Sequence, residues 1–225
     1  RYMKKKILAI FAHPDDEVLA CGATLAKRID NGHEVSLILL SNGCDSRQKS
    51  NKHIIKKRKD NCLESCKKLG INLLDIGDFP DNQFDKEPLL KVIKFIEEKS
   101  FGIKPNEIFT HYKNDLNIDH RVTYKAIKTA FRPISLINEF VIYESEVNSS
   151  TEWNISLNNS FSPNHFENIE KYIDSKILAL KCYNSEIREW PHPRSSKGIK
   201  VLSEYRGMQS GYSNSEAFVV NFSRN

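Results

Sequence analysis

A chain of 225 residues with 39% hydrophobic and 28% charged residues can bury a core without cross-links and is far from a disordered composition. Its net charge is +5, with much of the excess in Lys4–Lys6 and Lys52–Lys59; this is too sparse and too poor in aromatics for a nucleic-acid stripe, and solvated helix faces account for it. No run approaches the ~18 apolar residues of a membrane span, and five cysteines, an odd number with no second pair to complete a zinc ribbon, read as reduced core thiols of a cytoplasmic protein.

Ile7–Ala12 is a short apolar run. The lysines before it imitate a signal peptide, but the run is too short and ends in His-Pro-Asp-Asp-Glu. It reads as a first strand buried on both faces, with Met3 as the natural start. Asp15–Asn31 reads as a helix closed by Asn-Gly, Glu34–Leu40 as a second buried strand, and Asn51–Leu69 as a basic helix stopped by Gly70. A third strand at Asn72–Ile76 precedes a helix over Glu87–Lys99 with Leu89, Leu90, Ile93 and Ile96 inward. Strand Glu107–His111, helix Ile118–Phe131 and strand Glu139–Ser145 follow. Beyond a polar stretch at Glu152–Phe161, the pattern predicts a helix over Phe166–Tyr183, a Pro-rich loop at Glu189–Lys197, a helix over Ser196–Met208 and a short strand at Ala217–Phe222.

Alternating strands and helices over the first ~145 residues predict an α/β, Rossmann-like fold: a mostly parallel sheet flanked by helices. The expectation is a single domain over 1–225, with a core at 1–145 and a C-terminal elaboration at 146–225 that completes the site.

In such a sheet, ligands bind beyond the carboxyl ends of the strands. Strand one ends in His13, Pro14, Asp15, Asp16 and Glu17, strand three leads to Phe79–Asn82, and strand four delivers His111, Asn114, Asp115, Asn117, Asp119 and His120. Three acidic residues in a row repel one another, and a divalent cation would relieve that. Two imidazoles and a carboxylate suit Zn²⁺ with a position left for water, the ligands being His13, Asp16 and His120, with a neighbouring carboxylate as general base. A hydrogen-bonded structural network of the same residues stays open at this point.

Ala12–Glu17 (AHPDDE) after a buried strand resembles the signature of the LmbE-like, or PIG-L, deacetylase family, and Asp115–Arg121 (DLNIDHR) resembles its second motif. Arg58, Phe79–Asp81, Phe161–Asn164, Pro191–Ser195 and the Arg206, Gly207, Glu216–Phe218 run extend the likeness over nearly the whole chain. The resemblance implies a zinc-dependent hydrolase removing N-acetyl groups from amino sugars or their conjugates, with one Zn²⁺ held by His13, Asp16 and His120. It implies Asp15 as general base, Arg58, Asp81 and Arg194 as substrate contacts, and Glu17, His111 and Asp119 as supporting residues. Many family members carry a histidine where this chain has Asn117. An amide can donate to an oxyanion but cannot supply a proton, so Asp15 or His192 takes the acid role.

An amidase on another N-acyl substrate and a non-catalytic sugar-binding protein on the same scaffold are the alternatives. A dinucleotide-binding oxidoreductase fits poorly, because no GxGxxG follows the first strand and its acidic turn would repel a pyrophosphate. The expected partner is a small N-acetylated amino sugar or conjugate, without nucleic acid or a membrane span; homo-oligomerisation stays open.

Overall fold

The structure, a computed structural model, describes residues 3–44, 52–133, 139–155 and 160–224. Four strands and three crossover helices are laid down first: β1 Lys6–Phe11, α1 Asp16–Asp30, β2 Glu34–Leu39, α2 Lys52–Leu69, β3 Asn72–Ile76, α3 Leu89–Lys99 and β4 Glu107–His111. Then come α4 Ile118–Ala130, β5 Phe140–Ser145, β6 His165–Asn168, α5 Ile173–Leu180, α6 Ser196–Ser210 and β7 Ser215–Arg224.

The strand order is β3-β2-β1-β4-β5-β7-β6. The first five strands are parallel, and β7 pairs antiparallel with both β5 and β6. Central β1 is apolar on both faces because helices cover both. Ile7, Ala9 and Phe11 face the layer that includes α1, α2 and α5, while Leu8 and Ile10 face α3 and α4. The chain runs outward from β1 to β3 and then returns to β4 on the other side of β1. The carboxyl ends of β1 and β4 therefore flank the point where the winding reverses, a natural crevice.

The Rossmann-like α/β architecture is as the alternating pattern predicts. The expected helix over Phe166–Tyr183 is instead strand β6 followed by the shorter α5. Residues His165–Asn168 pair with the free edge of β7, and that pairing overrides local helix preference. The last strand is correspondingly longer than expected, Ser215–Arg224. Leu89 and Leu90 sit in the first turn of α3 and stay 39% and 63% exposed, while Val92, Ile93 and Ile96 form its buried stripe. The predicted start of the second helix at Asn51 lies outside the described residues.

Helix α1 is interrupted. Cys21 takes φ −147°, ψ 19° inside it. Glu216 from β7 fills the break, accepting from the backbone N–H of Ala23 (3.2 Å) and Thr24 (2.7 Å). Lys176 Nζ donates to Leu19 O on the other side (2.8 Å) and to Glu216 (2.7 Å). The new helix end is thus capped by a side chain 193 residues away rather than by a local residue.

Candidate active site

The turn leaving β1 carries the first group of side chains. Asp15 adopts φ 106°, a left-handed conformation costly for any residue but glycine. Its backbone N–H donates to Glu17 Oε2 (3.0 Å), and Glu17 Oε1 accepts from Tyr183 Oη (2.6 Å). Burial, ahead of all other causes, pushes the Glu17 carboxyl up to about 7. Two other non-glycine residues have positive φ among the described residues, Asn82 and Ser149. All three strained positions line one cavity of about 580 Å³. Gly43, after β2, closes in from the next strand at φ +66°; a Cβ there would meet Pro14 Cδ at 3.2 Å and His13 Cβ at 3.4 Å.

His13, Asp16 and His120 offer ligand atoms that all lie within 4.8 Å of one another. Asp16 Oδ2 is 3.2 Å from His13 Nδ1 and 3.3 Å from His120 Nε2. Ligand atoms around a tetrahedral ion with bonds of ~2.0–2.1 Å stand about 3.3 Å apart, so the set fits such an ion. The outer nitrogens agree. His13 Nε2 is 2.9 Å from Asp119 Oδ2, and His120 Nδ1 is 3.0 Å from Asp115 Oδ1, the latter off the N–H axis and so a charge contact. Each imidazole has a carboxylate behind it and turns its other nitrogen to Asp16, the arrangement that orients metal-binding histidines.

The supporting carboxylates are themselves held. Asp119 accepts from the backbone N–H of Asn82 (2.6 Å) and Phe84 (3.0 Å), and Asp115 accepts from Asn117 N (2.9 Å) and from the hydroxyls of Ser150 and Thr151. A second grouping, His13 with Asp81 and Asp119, uses the outer nitrogen of His13. It leaves out His120, and Asp119 is already occupied by two backbone donors.

The electrostatics point to a cation. Burial would lower the His120 pKa, but the charges of Asp16 and Asp115 override it and push it up to about 9. Burial also opposes charge on His13, and hydrogen bonds with Asp119, Asp16 and Asp81 drive its pKa well above the ordinary value. His111 behaves oppositely. It stacks on His120 with ring centroids 3.7 Å apart, accepts from Ala12 N through Nε2 (2.9 Å), and is held well below its usual range by burial and by the charge of His120. It is a neutral spacer behind the cluster.

Asp15 faces the cavity beside this group. Burial raises its pKa, and the nearby guanidinium groups of Arg194 and Arg58 pull it back only in part. Asp15 Oδ2 accepts from Arg194 Nη1 (3.0 Å) and Arg58 Nη2 (3.3 Å). Glu186 bridges the same two arginines, at 2.7 Å from Arg58 and 3.2 Å from Arg194. The result is a closed ring of two carboxylates and two guanidiniums.

Asn117 is the N-cap of α4. Its Oδ1 accepts from Asp119 N (2.8 Å), which fixes the amide so that Nδ2 donates to Asn82 Oδ1 (3.2 Å) and keeps a second hydrogen at the cavity wall. His192 also lines the cavity. Its Nδ1 accepts from Arg194 N (3.1 Å), and burial, then the charges of Arg194 and Arg188, lower its pKa. That environment favours a neutral ring with the proton on Nε2.

The cavity thus brings together His13, Asp15, Asp16, Asn117 and His120, with Arg58, Asp81, His192 and Arg194 also in its wall. Glu17, His111 and Asp119 stand behind it, buried. His165 is on the outer strand β6, 3.2 Å from Glu167. His33, in the turn after α1, is buried, and its Nδ1 accepts from Lys5 N (3.3 Å). Sequence reasoning missed Glu186, Tyr183 and the Ser149–Trp153 turn. Glu186 shares an irregular segment with Glu189 and Arg188, and neither it nor the turn carried a distinguishing signal.

Residues 8–131 match the family described as PIG-L, GlcNAc-PI de-N-acetylase. The chain belongs to the PIG-L family. Among proteins similar to this member, a probable N-acetyl-alpha-D-glucosaminyl L-malate deacetylase 2 of Bacillus cereus is 26% identical over 191 residues, covering 82% of this chain and 84% of that protein. A diacetylchitobiose deacetylase of Thermococcus kodakarensis is 22% identical over 219 residues, covering 92% and 80%. The crystal structure of a 4-carboxy-2-hydroxymuconate hydratase from Pseudomonas putida superposes with a TM-score of 0.75 at 18% identity, covering 99% and 98% of the two chains. That likeness concerns the fold alone; a shared fold does not assign a reaction.

Proposed function

We propose that this PIG-L family member is a zinc-dependent hydrolase that removes the N-acetyl group from an amino sugar or its conjugate. The carrying observation is the pair of imidazoles, each backed by a carboxylate and each turned to Asp16 Oδ2. His13, Asp16 and His120 hold one Zn²⁺, which when bound polarises an amide carbonyl and makes water a nucleophile near neutral pH. Asp15 takes the proton of the attacking water, since its raised pKa and cavity position suit a base, and returns that proton to the leaving amine. Arg58 and Arg194 keep its carboxylate aimed at the cavity.

Asn117 Nδ2 donates to the developing oxyanion. His192 supplies a hydrogen bond from Nε2 to substrate, and with Arg58, Asp81 and Arg194 it shapes the sugar subsite. Glu17, His111 and Asp119 fix the residues in front of them. The relatives support this reading, one being a probable N-acetyl-alpha-D-glucosaminyl L-malate deacetylase and the other a diacetylchitobiose deacetylase. No described helix is long and apolar enough to cross a membrane. We take the chain as one domain acting in the cytoplasm on a small-molecule substrate.

Elemental analysis of the purified protein and acetate release from N-acetylated sugars test the reading together. About one zinc per chain and acetate release that stops on chelation and returns with Zn²⁺ are expected. His120→Ala should lower zinc occupancy. Full acetate release from metal-free protein would refute the zinc assignment, and acetate release from none of a broad panel would refute the reaction.

A further inference from the structure

Tyr183 follows α5 and is fully buried behind the cavity, outside its wall. A buried phenol needs a hydrogen-bond partner. This one finds it 166 residues away, in the turn that leaves β1.

Three parts of Tyr183 engage three different groups. Its Oη donates to Glu17 Oε1 (2.6 Å). Its ring face carries the Arg58 guanidinium, 5.5 Å from the centroid. Its backbone carbonyl accepts from Glu186 N (2.8 Å). Each of these groups in turn bears on Asp15. Glu17 Oε2 accepts from the Asp15 backbone N–H (3.0 Å). Arg58 Nη2 donates to Pro14 O (2.7 Å) and to Asp15 Oδ2 (3.3 Å). Glu186 spans Arg58 and Arg194, the two guanidiniums on the Asp15 carboxylate. Strand, helix and C-terminal segment thus meet behind one carboxylate.

The hydroxyl is the link that strain makes decisive. Asp15 stands at φ 106°, and a conformation of that kind persists only where its surroundings over-determine it. The two oxygens of the Glu17 carboxylate join the Asp15 N–H to the Tyr183 hydroxyl. Without the hydroxyl, a buried oxygen loses its donor and the carboxylate turns to recover one. The Asp15 N–H is then released, the turn relaxes, and the Asp15 carboxylate shifts with it. A shift of ~1 Å in a reacting group can cost ~10²-fold in rate. Burial, ahead of the Glu17 charge, holds the phenol well above its usual range, so it stays a donor. We propose that Tyr183 is a positioning residue for the reaction, holding Asp15 in its left-handed conformation through Glu17. This rests on the deacetylase reading and adds to it a residue that never reaches the substrate.

Tyr183→Phe removes the hydroxyl alone and leaves the ring and the backbone carbonyl in place. The test measures acetate release from N-acetylglucosamine and N,N′-diacetylchitobiose by zinc-loaded wild type, Tyr183→Phe, Asp15→Asn and the double variant. Hydrogen exchange of the Asp15 backbone amide is followed by NMR in wild type and Tyr183→Phe. In Tyr183→Phe, kcat should fall about 10–10²-fold, with KM and zinc content within about twofold of wild type. In the Asp15→Asn background the same change should lower kcat by less than about twofold, because the group it acts through is gone. The Asp15 amide should exchange about tenfold faster in Tyr183→Phe, with the amides of β1 unchanged. Equal kcat losses in both backgrounds, a rise in KM in place of the fall in kcat, unchanged exchange at Asp15, or loss of the fold or of zinc would overturn the proposal and leave Tyr183 a core residue. Faster exchange at Asp15 with no acetate released by wild type would keep the positioning and sink the deacetylase reading instead.

Discussion

Both ends of the parallel sheet bury charge, but they settle it differently. At the amino end, permanent cations meet the buried carboxylates of Glu107 and Glu167. Arg28 reaches Glu107 (2.8 Å) and Glu167 (2.5 Å), Lys27 reaches Glu167 (2.7 Å), and Lys5 reaches Glu107 (2.9 Å). At the carboxyl end, Asp16 has only imidazoles within ion-pair reach among the described residues: His13, His120 and, at 3.6 Å, His111. An imidazole is a cation only on condition, so this end can exchange its protons for a metal, whereas the arginine-centred end cannot. Backbone strain follows the same division, since Asp15, Asn82 and Ser149 all lie at the carboxyl end. The carboxyl end also holds the arginine-closed ring around Asp15, so the permanent cation is missing from the Asp16 cluster rather than from the whole end.

The largest break in this contrast should come from Asp15→Asn. It removes the proposed base while leaving His13, Asp16 and His120 in place, so kcat should fall about 10²–10⁴-fold with zinc content unchanged. Steady-state kinetics with metal analysis of the same preparation checks both halves. Loss of zinc along with activity would show that Asp15 belongs to the ligand set.

At the other end, Glu167→Gln should cost about 1–3 kcal/mol of stability, because it leaves Arg28 short of a buried partner, with kcat essentially intact. Denaturant unfolding reads it. This change also carries a pH signature. Burial pushes the Glu167 carboxyl up, but hydrogen bonds from His165 and Arg28 and the charges around them hold it below the ordinary carboxylate range. Its folded pKa therefore lies below its unfolded one. The stabilisation is complete above ~4.3, the unfolded value, and disappears as pH falls toward the folded value. Wild type should lose this contribution on acidification through that window, and Glu167→Gln should show a flatter dependence there. Parallel acid profiles for the two proteins would remove Glu167 from the account.

The ends of the sheet were unequally legible in the sequence. The carboxyl-end residues were readable because each group leaves a strand as one contiguous segment, Ala12–Glu17 or Asp115–Arg121, and parallel topology delivers strand ends to one edge. Glu186 and the Ser149–Trp153 turn reach the same cavity from irregular backbone, where no periodicity predicts direction. The amino-end network was invisible for another reason. Arg28, Glu107 and Glu167 look like ordinary surface charges until the pairing of β6 with β7 brings Glu167 over Arg28. The helix expected over Phe166–Tyr183 failed at the same place, since an edge strand of four residues has little pattern of its own.

A smaller effect should come from Asn117→Ala, which mixes structure with catalysis. Loss of the α4 cap should cost about 1 kcal/mol, and loss of the oxyanion donor should lower kcat about 10–10³-fold. Asn117→Asp keeps a capping oxygen and removes the donor, so it should restore stability without restoring kcat. Recovery of both would leave Asn117 as a cap only. Asn117→Ala should not delete a limb of the pH–rate profile, because an amide does not titrate.

The break in α1 has a consequence for how the protein is made. The helix that carries Asp16 is completed by Glu216 and Lys176, which cap its second half and tie down Leu19 O. During synthesis at ~5–20 residues per second, the segment bearing His13 and Asp16 leaves the ribosome about 200 residues before the carboxylate that finishes its helix. Until then the break exposes uncapped N–H groups beside a half-built site. A nascent chain halted before Glu216 should therefore resist proteolysis in β1–β4 less well than the finished one, and should gain protection when that residue is released.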